Sequence, residues 1–79
     1  MNLTGVPLST LVRLKRELPT PEECHRIRLA AQVSSEAVGT EVGVTGQTIR
    51  LWERGRRRPT GDHLARYIAA LDIMRAGDR

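Results

Sequence analysis

The side chains in this chain best suited to chemistry are its arginines. Of 13 basic residues, all but Lys15 are arginine. The guanidinium is a planar, permanently charged fork that grips a phosphate, or the major-groove edge of a guanine, through two parallel hydrogen bonds. A GC-rich coding sequence would produce the same bias, so the ratio by itself assigns nothing. Arg56, Arg57 and Arg58 are consecutive and stand between Gly55 and Pro59, which reads as an exposed basic loop. A charge run of that kind is usually only a solvated loop. The formal net charge is +4 over 79 residues. A basic balance favours an anionic partner, either nucleic acid or an acidic membrane surface.

Bond-making chemistry would need other groups. Catalysis requires convergent titratable side chains in a concave pocket, and the sequence offers no nucleophile–base pair and no phosphate-binding glycine loop. Its serines fall at helix caps. Glu22, Glu23, Glu36 and Glu41 fall on exposed helix faces. Cys24 is the only cysteine, so no disulfide can form within the chain and no zinc cluster is spelled out. His25 and His63 lie far apart without ligand-spaced partners and read as surface or boundary residues. The expectation is a non-enzyme with no metal and no cofactor. No apolar stretch is long enough to cross a bilayer, and the N-terminus lacks the marks of a signal peptide. The expected location is the cytoplasm, with no membrane partner.

The elements that must carry the arginines are helical. A chain of this length makes one domain and buries only about 60% of its unfolded surface, so it needs well-packed helices or a second subunit. After an irregular lead-in over Met1–Pro7, Ser9 could cap a helix from Thr10 to about Leu18, with Leu8, Leu11, Leu14 and Leu18 as one apolar stripe. Pro19 ends it. Thr20, Pro21 and Glu23 spell a strong helix start, predicting a helix from Pro21 to about Gln32 with Cys24, Ile27, Leu29 and Ala31 as its apolar positions. Ser34 caps a helix over about Ser35–Val42, stopped by Gly43. Thr45 caps another over about Gly46–Arg54, closed by Gly55. Thr60 caps a last helix from about Gly61 to Leu71, with Leu64, Tyr67, Ile68 and Leu71 buried. Asp72–Arg79 would add a weak turn or fray. No strand pattern occurs, so the fold class is all-α, with about five short helices.

The informative stretch is Ser35–Arg54, where EAVGTEVGVTGQTIRLWER follows the leading serine. It sets two helices around the turn Gly43-Val44-Thr45. Gly39 sits where they cross, and a large side chain there would push them apart. Val38, Val44, Ile49 and Trp52 fill the wedge between them. The second helix then stands at a steep angle with its N-terminal end in solvent, a shape that fits the major groove of B-DNA.

Those residues resemble the Cro/phage-repressor-like helix-turn-helix proteins, the XRE family. The resemblance covers about Pro21–Ile73 and rests on IRLAAQVSSEAVGTEVGVTGQTIRLWERGRRRP followed by the Thr-capped helix ending LARYIAAL. It implies a lambda-repressor-like DNA-binding domain with an additional N-terminal helix. Residues 1–19 would form the N-terminal extension, 20–73 the helix-turn-helix domain and 74–79 a tail. Residue by residue, it implies that Arg28 and Glu53 pair to tie the first family helix to the end of the recognition helix, turning Arg28 toward a phosphate. It implies that Ser34 and Ser35 begin a helix whose free N–H groups meet the DNA backbone. Thr45, Gln47, Thr48, Arg50 and Leu51 would form the base-reading face, Gln47 on an adenine, Arg50 on a guanine or phosphate, Thr45 and Leu51 on thymine methyls. Arg54, Arg56, Arg57 and Arg58 would grip phosphates. The chain departs from the family at Gly46, where relatives often place a base-reading side chain, at Gln32, which replaces a helix-ending Gly, and at Asp72, which replaces a Gly after the fourth family helix.

The expected partner is double-stranded DNA, and the expected function is a sequence-specific transcriptional regulator. The small size suggests a phage, prophage or mobile-element repressor of the Cro type that occupies an operator. A two-fold homodimer would read a palindrome, with the N-terminal stripe and the Ile73–Met74 region as candidate surfaces. The alternative is a protein-interaction module, antitoxin-like or partner-inhibiting, that binds another protein through Leu8, Leu11, Leu14 and Leu18.

Overall fold

Thr20, Ser34 and Thr45 each end an extended segment and turn a hydroxyl back onto the third amide that follows. Thr20 Oγ1 accepts from Glu23 N–H at 3.2 Å, Ser34 Oγ from Ala37 N–H at 3.0 Å and Thr45 Oγ1 from Thr48 N–H at 3.1 Å. Each cap satisfies one of the donors that a helix start leaves open. The computed structural model describes residues 7–77. The lead-in before Pro7 and the last two residues of the expected tail lie outside them. Among the described residues there are five helices and no strand: α1 (Leu8–Glu17), α2 (Pro21–Ala31), α3 (Ser35–Val42), α4 (Gly46–Glu53) and α5 (Gly61–Gly77). None is long and apolar enough to cross a membrane.

Three boundaries differ from the sequence reading. α1 begins at Leu8, and its N-cap is Pro7, with no side-chain cap; Ser9 lies inside the helix. The Pro7 carbonyl already accepts Leu11 N–H at 3.0 Å, so the ladder starts before the serine. α5 runs on to Gly77, past the expected end at about Leu71, where a weak turn or fraying was expected. Met74 explains this, because it is 7% exposed and extends the helix's buried face by one more turn. Asp72 is helix-compatible where a glycine would weaken the run. α2 stops at Ala31, and Gln32 leaves it with φ 58°, the only positive φ outside glycine among the described residues.

Gln32 holds a conformation that glycine adopts without steric cost. Gln32→Gly is therefore expected to stabilise the domain by about 0.5–1 kcal/mol, the left-handed penalty exceeding the extra chain entropy. A thermal melt checks this: Tm should rise by a few degrees, and an unchanged or lower Tm would show that Gln32 is not strained.

The core forms where α2, α3 and α4 close over α5. Cys24, Val38, Val42, Ile49, Trp52, Tyr67, Ala70, Leu71 and Met74 make one buried cluster, with Ile27, Ala31, Val33 and Val44 packed against it. Trp52 and Tyr67 meet with ring centroids 4.8 Å apart at a 50° tilt, a favourable aromatic geometry. Leu29 is a correction: it is 56% exposed, because the face of α2 turned to the core carries Cys24, Ile27 and Ala31. α1 lies against α5. Leu11, Leu14 and Leu18 are half-buried there, while Leu8 points into water. The Tyr67 hydroxyl is buried without a hydrogen-bond partner. Burial, with the neighbouring Cys24, pushes its pKa far up.

Candidate nucleic-acid interface

The helix expected to carry the base-reading face is α4, and its presentation depends on two glycines. A Cβ on Gly39 would lie 2.5 Å from the Val44 carbonyl oxygen and 2.9 Å from the Thr45 carbonyl carbon, so α3 and the turn touch backbone to backbone. A Cβ on Gly46 would lie 2.7 Å from Glu36 Oε2 and 3.0 Å from Glu36 Cα. Gly46 is buried. The residue that reads no base is thus the point where α4 packs onto the start of α3. Gly43, at φ 94°, supplies the turn between them.

Polar contacts hold α4 at two places along its length. At its C-terminal end, the Glu53 carboxylate is only 4% exposed and takes both prongs of Arg28: Nε donates to Oε2 at 2.6 Å and Nη2 to Oε1 at 3.0 Å. Arg28 Nη1 also donates to the Val33 carbonyl at 3.0 Å, which ties α2, the α2–α3 connection and α4 together. His25 Nδ1 is 2.9 Å from Glu53 Oε1. Burial would push the Glu53 carboxyl up, but the hydrogen bonds from Arg28 and His25 and the Arg28 charge outweigh it and hold its pKa below the usual carboxylate range. Near the middle of α4, Arg50 Nη1 donates to Ser35 Oγ at 2.6 Å and to Glu36 Oε2 at 2.8 Å. That hydrogen bond, with the residue's own backbone N–H, keeps the Glu36 carboxyl below its ordinary pKa.

The residues expected to meet DNA fall as follows. Thr45 and Gln47 are exposed, and Thr48 and Leu51 are half-buried. The Thr45 and Thr48 hydroxyls are 3.0 Å apart. Arg54, Arg56, Arg57 and Arg58 are all exposed. Ser34 is exposed, with its hydroxyl used by its cap. Ser35 is buried, and its hydroxyl accepts from Arg50 and donates to Glu36. Arg50 is turned toward α3, not outward. His25, Arg28, Arg50 and Arg54 surround a shallow depression that Glu53 also lines.

Two members of this surface escape a reading of the sequence. His25, expected to be an ordinary surface position, is a partner of Glu53. The signal was present, since His25 and Arg28 are three apart and share a helix face. Glu36, expected on an idle exposed face, holds Arg50. No spacing rule links residues on two different helices, so only the crossing of α3 and α4 reveals that contact.

A family model described as helix-turn-helix matches residues 25–73. No curated protein and no solved structure matches the chain. The matched segment runs from His25 on α2 through the α3–α4 pair to Ile73 on α5, and so contains the whole surface described above.

Proposed function

The chain belongs to the XRE-type helix-turn-helix family of DNA-binding regulators, and from that membership we propose that it is a Cro-like repressor that occupies an operator through the major groove. The observation that carries the reading is the α4 surface: Thr45 and Gln47 stand exposed at the helix start, and four arginines stand exposed at and beyond its end. In this proposal Gln47 pairs with an adenine edge, with Thr45, Thr48 and Leu51 packing beside it. Arg50 reaches a guanine or a phosphate by exchanging the Glu36 carboxylate for DNA. Arg28, the N–H groups at the Ser34–Ser35 helix start, and Arg54, Arg56, Arg57 and Arg58 take phosphates, which set register and affinity but not sequence. His25 joins them beside Arg28. A homodimer would place two α4 helices about 34 Å apart on a palindrome. The site of action would be operator DNA in a bacterial cytoplasm, on a phage, prophage or mobile element.

Selection of bound duplexes from a random library, followed by affinity against salt on the winner, tests the proposal. An enriched inverted repeat is expected. Gln47→Ala should relax preference at one base pair by about 1–3 kcal/mol. The triple variant Arg56→Ala/Arg57→Ala/Arg58→Ala should flatten the log–log salt slope by roughly 0.9 for each phosphate that is no longer gripped. Selection that enriches no sequence, or a Gln47→Ala variant with the wild-type site preference, would overturn the assignment.

A further inference from the structure

Between the end of α1 and the arginine loop, the chain forms a half-open cavity of about 230 Å³. Its floor is apolar and deeply buried, with Trp52 6%, Cys24 3% and Tyr67 1% exposed. Its rim is cationic. Lys15, Arg57 and Arg58 are the charged residues that line it, all three are exposed, and no carboxylate is among the lining groups. The Tyr67 hydroxyl itself lies beneath that floor, without access to the cavity. An apolar cavity of about 150 Å³ takes up benzene, so this space suits one substituted ring.

We propose that the cavity binds a small aromatic monocarboxylate, and that its occupation weakens DNA binding. The ring lies over the apolar floor at Trp52, between Leu18 and Pro21. The carboxylate meets the guanidinium forks of Arg57 and Arg58, the geometry that suits paired hydrogen bonds. Those two arginines then have less charge to offer the phosphates. The regulatory half rests on the operator reading above; the binding site itself does not.

Trp52 is the only tryptophan of the chain, so its fluorescence reports the cavity directly. The full chain is titrated with phenylacetate and with the neutral phenylacetamide. A saturable change is expected, with the acid binding at least tenfold more tightly than the amide. R57A/R58A should erase the difference between acid and amide. Saturating phenylacetate should weaken binding to the selected duplex at least threefold. No saturable change with any probe, or equal affinities for acid and amide, would overturn the site. Affinity for phenylacetate unchanged in R57A/R58A would overturn the placement of the carboxylate. Saturation without loss of DNA affinity would overturn the regulatory half. A ligand-free protein that binds no selected duplex would overturn the operator reading and the regulatory half, while the fluorescence decides the site independently.

Discussion

Gly39→Ala is expected to lower Tm by roughly 8–16 °C, the shift that follows from about 2 kcal/mol of lost stability in a domain of this size. The added Cβ meets three backbone atoms of the turn within 3.0 Å, the nearest at 2.5 Å. Backbone cannot rotate away as a flexible side chain can, so α3 and α4 must separate. A clash this close with backbone falls at the upper end of the range for overpacking, about 3 kcal/mol. Against it stands roughly 1 kcal/mol that alanine contributes over glycine inside a helix, which the clash exceeds. Gly39→Val adds two further methyl groups at the same place and should abolish cooperative unfolding. Gly77→Ala is the control, because its Cβ would meet nothing within 4 Å; it should leave Tm unchanged or slightly raised. Binding should fall with stability in the Gly39 variants, since the crossing sets the angle at which α4 stands. A Gly39→Ala protein that melts at or above the wild-type temperature would refute the close approach.

Glu53→Ala should cost about 3–5 kcal/mol, the penalty for leaving one member of a buried ion pair without its partner. The Arg28 side chain is 12% exposed and would keep only neutral partners, the Val33 carbonyl at 3.0 Å and the His25 ring nitrogen at 3.5 Å. Urea denaturation of both proteins measures the loss, and a cost below about 1 kcal/mol would mean that the pair behaves as an exposed one. The pH dependence has a definite sign. The folded pKa of Glu53 is depressed, so its contribution is complete above the ordinary glutamate value of about 4.3. It fades as pH falls through the lower folded value. The stability gap between wild type and Glu53→Gln should therefore be constant near neutrality and narrow below about pH 4. A gap that widens on acidification would contradict the hydrogen-bonded carboxylate.

Much of the fold was legible because its signals are local. A hydroxyl at Thr20, Ser34 or Thr45 is satisfied by an amide three residues on, and Gly43 takes a conformation that few other residues tolerate. Such rules need only a short window of chain, and the helices they mark begin or end within a residue or two of expectation. The errors arose where a boundary depends on what lies across the core. α5 is longer than expected because Met74 finds a buried place, which no pattern within Asp72–Arg79 announces. Leu29 looks like a core residue by type, but the rotation of α2 on α5 leaves it in water. Ser9 looks like a cap, but the ladder already starts at Pro7.

The proposed DNA surface divides in the same way. The sequence alone determined the helix-turn-helix, the exposed start of α4, the run of arginines after it and the Arg28–Glu53 pairing through its resemblance to a known family. The first three follow from residue type, capping and spacing, which act over a few bonds; the pairing was implied only by the resemblance. Only the tertiary structure decided that Arg50 turns inward to Ser35 and Glu36, that Gly46 is a packing contact and that His25 joins Glu53. It alone brought Trp52, Tyr67 and Cys24 under the basic rim. Those contacts join side chains from separate helices, and their geometry is set by how α2, α3, α4 and α5 cross. A helix crossing is the sum of many small packing energies over the whole core, so no short stretch of sequence carries it.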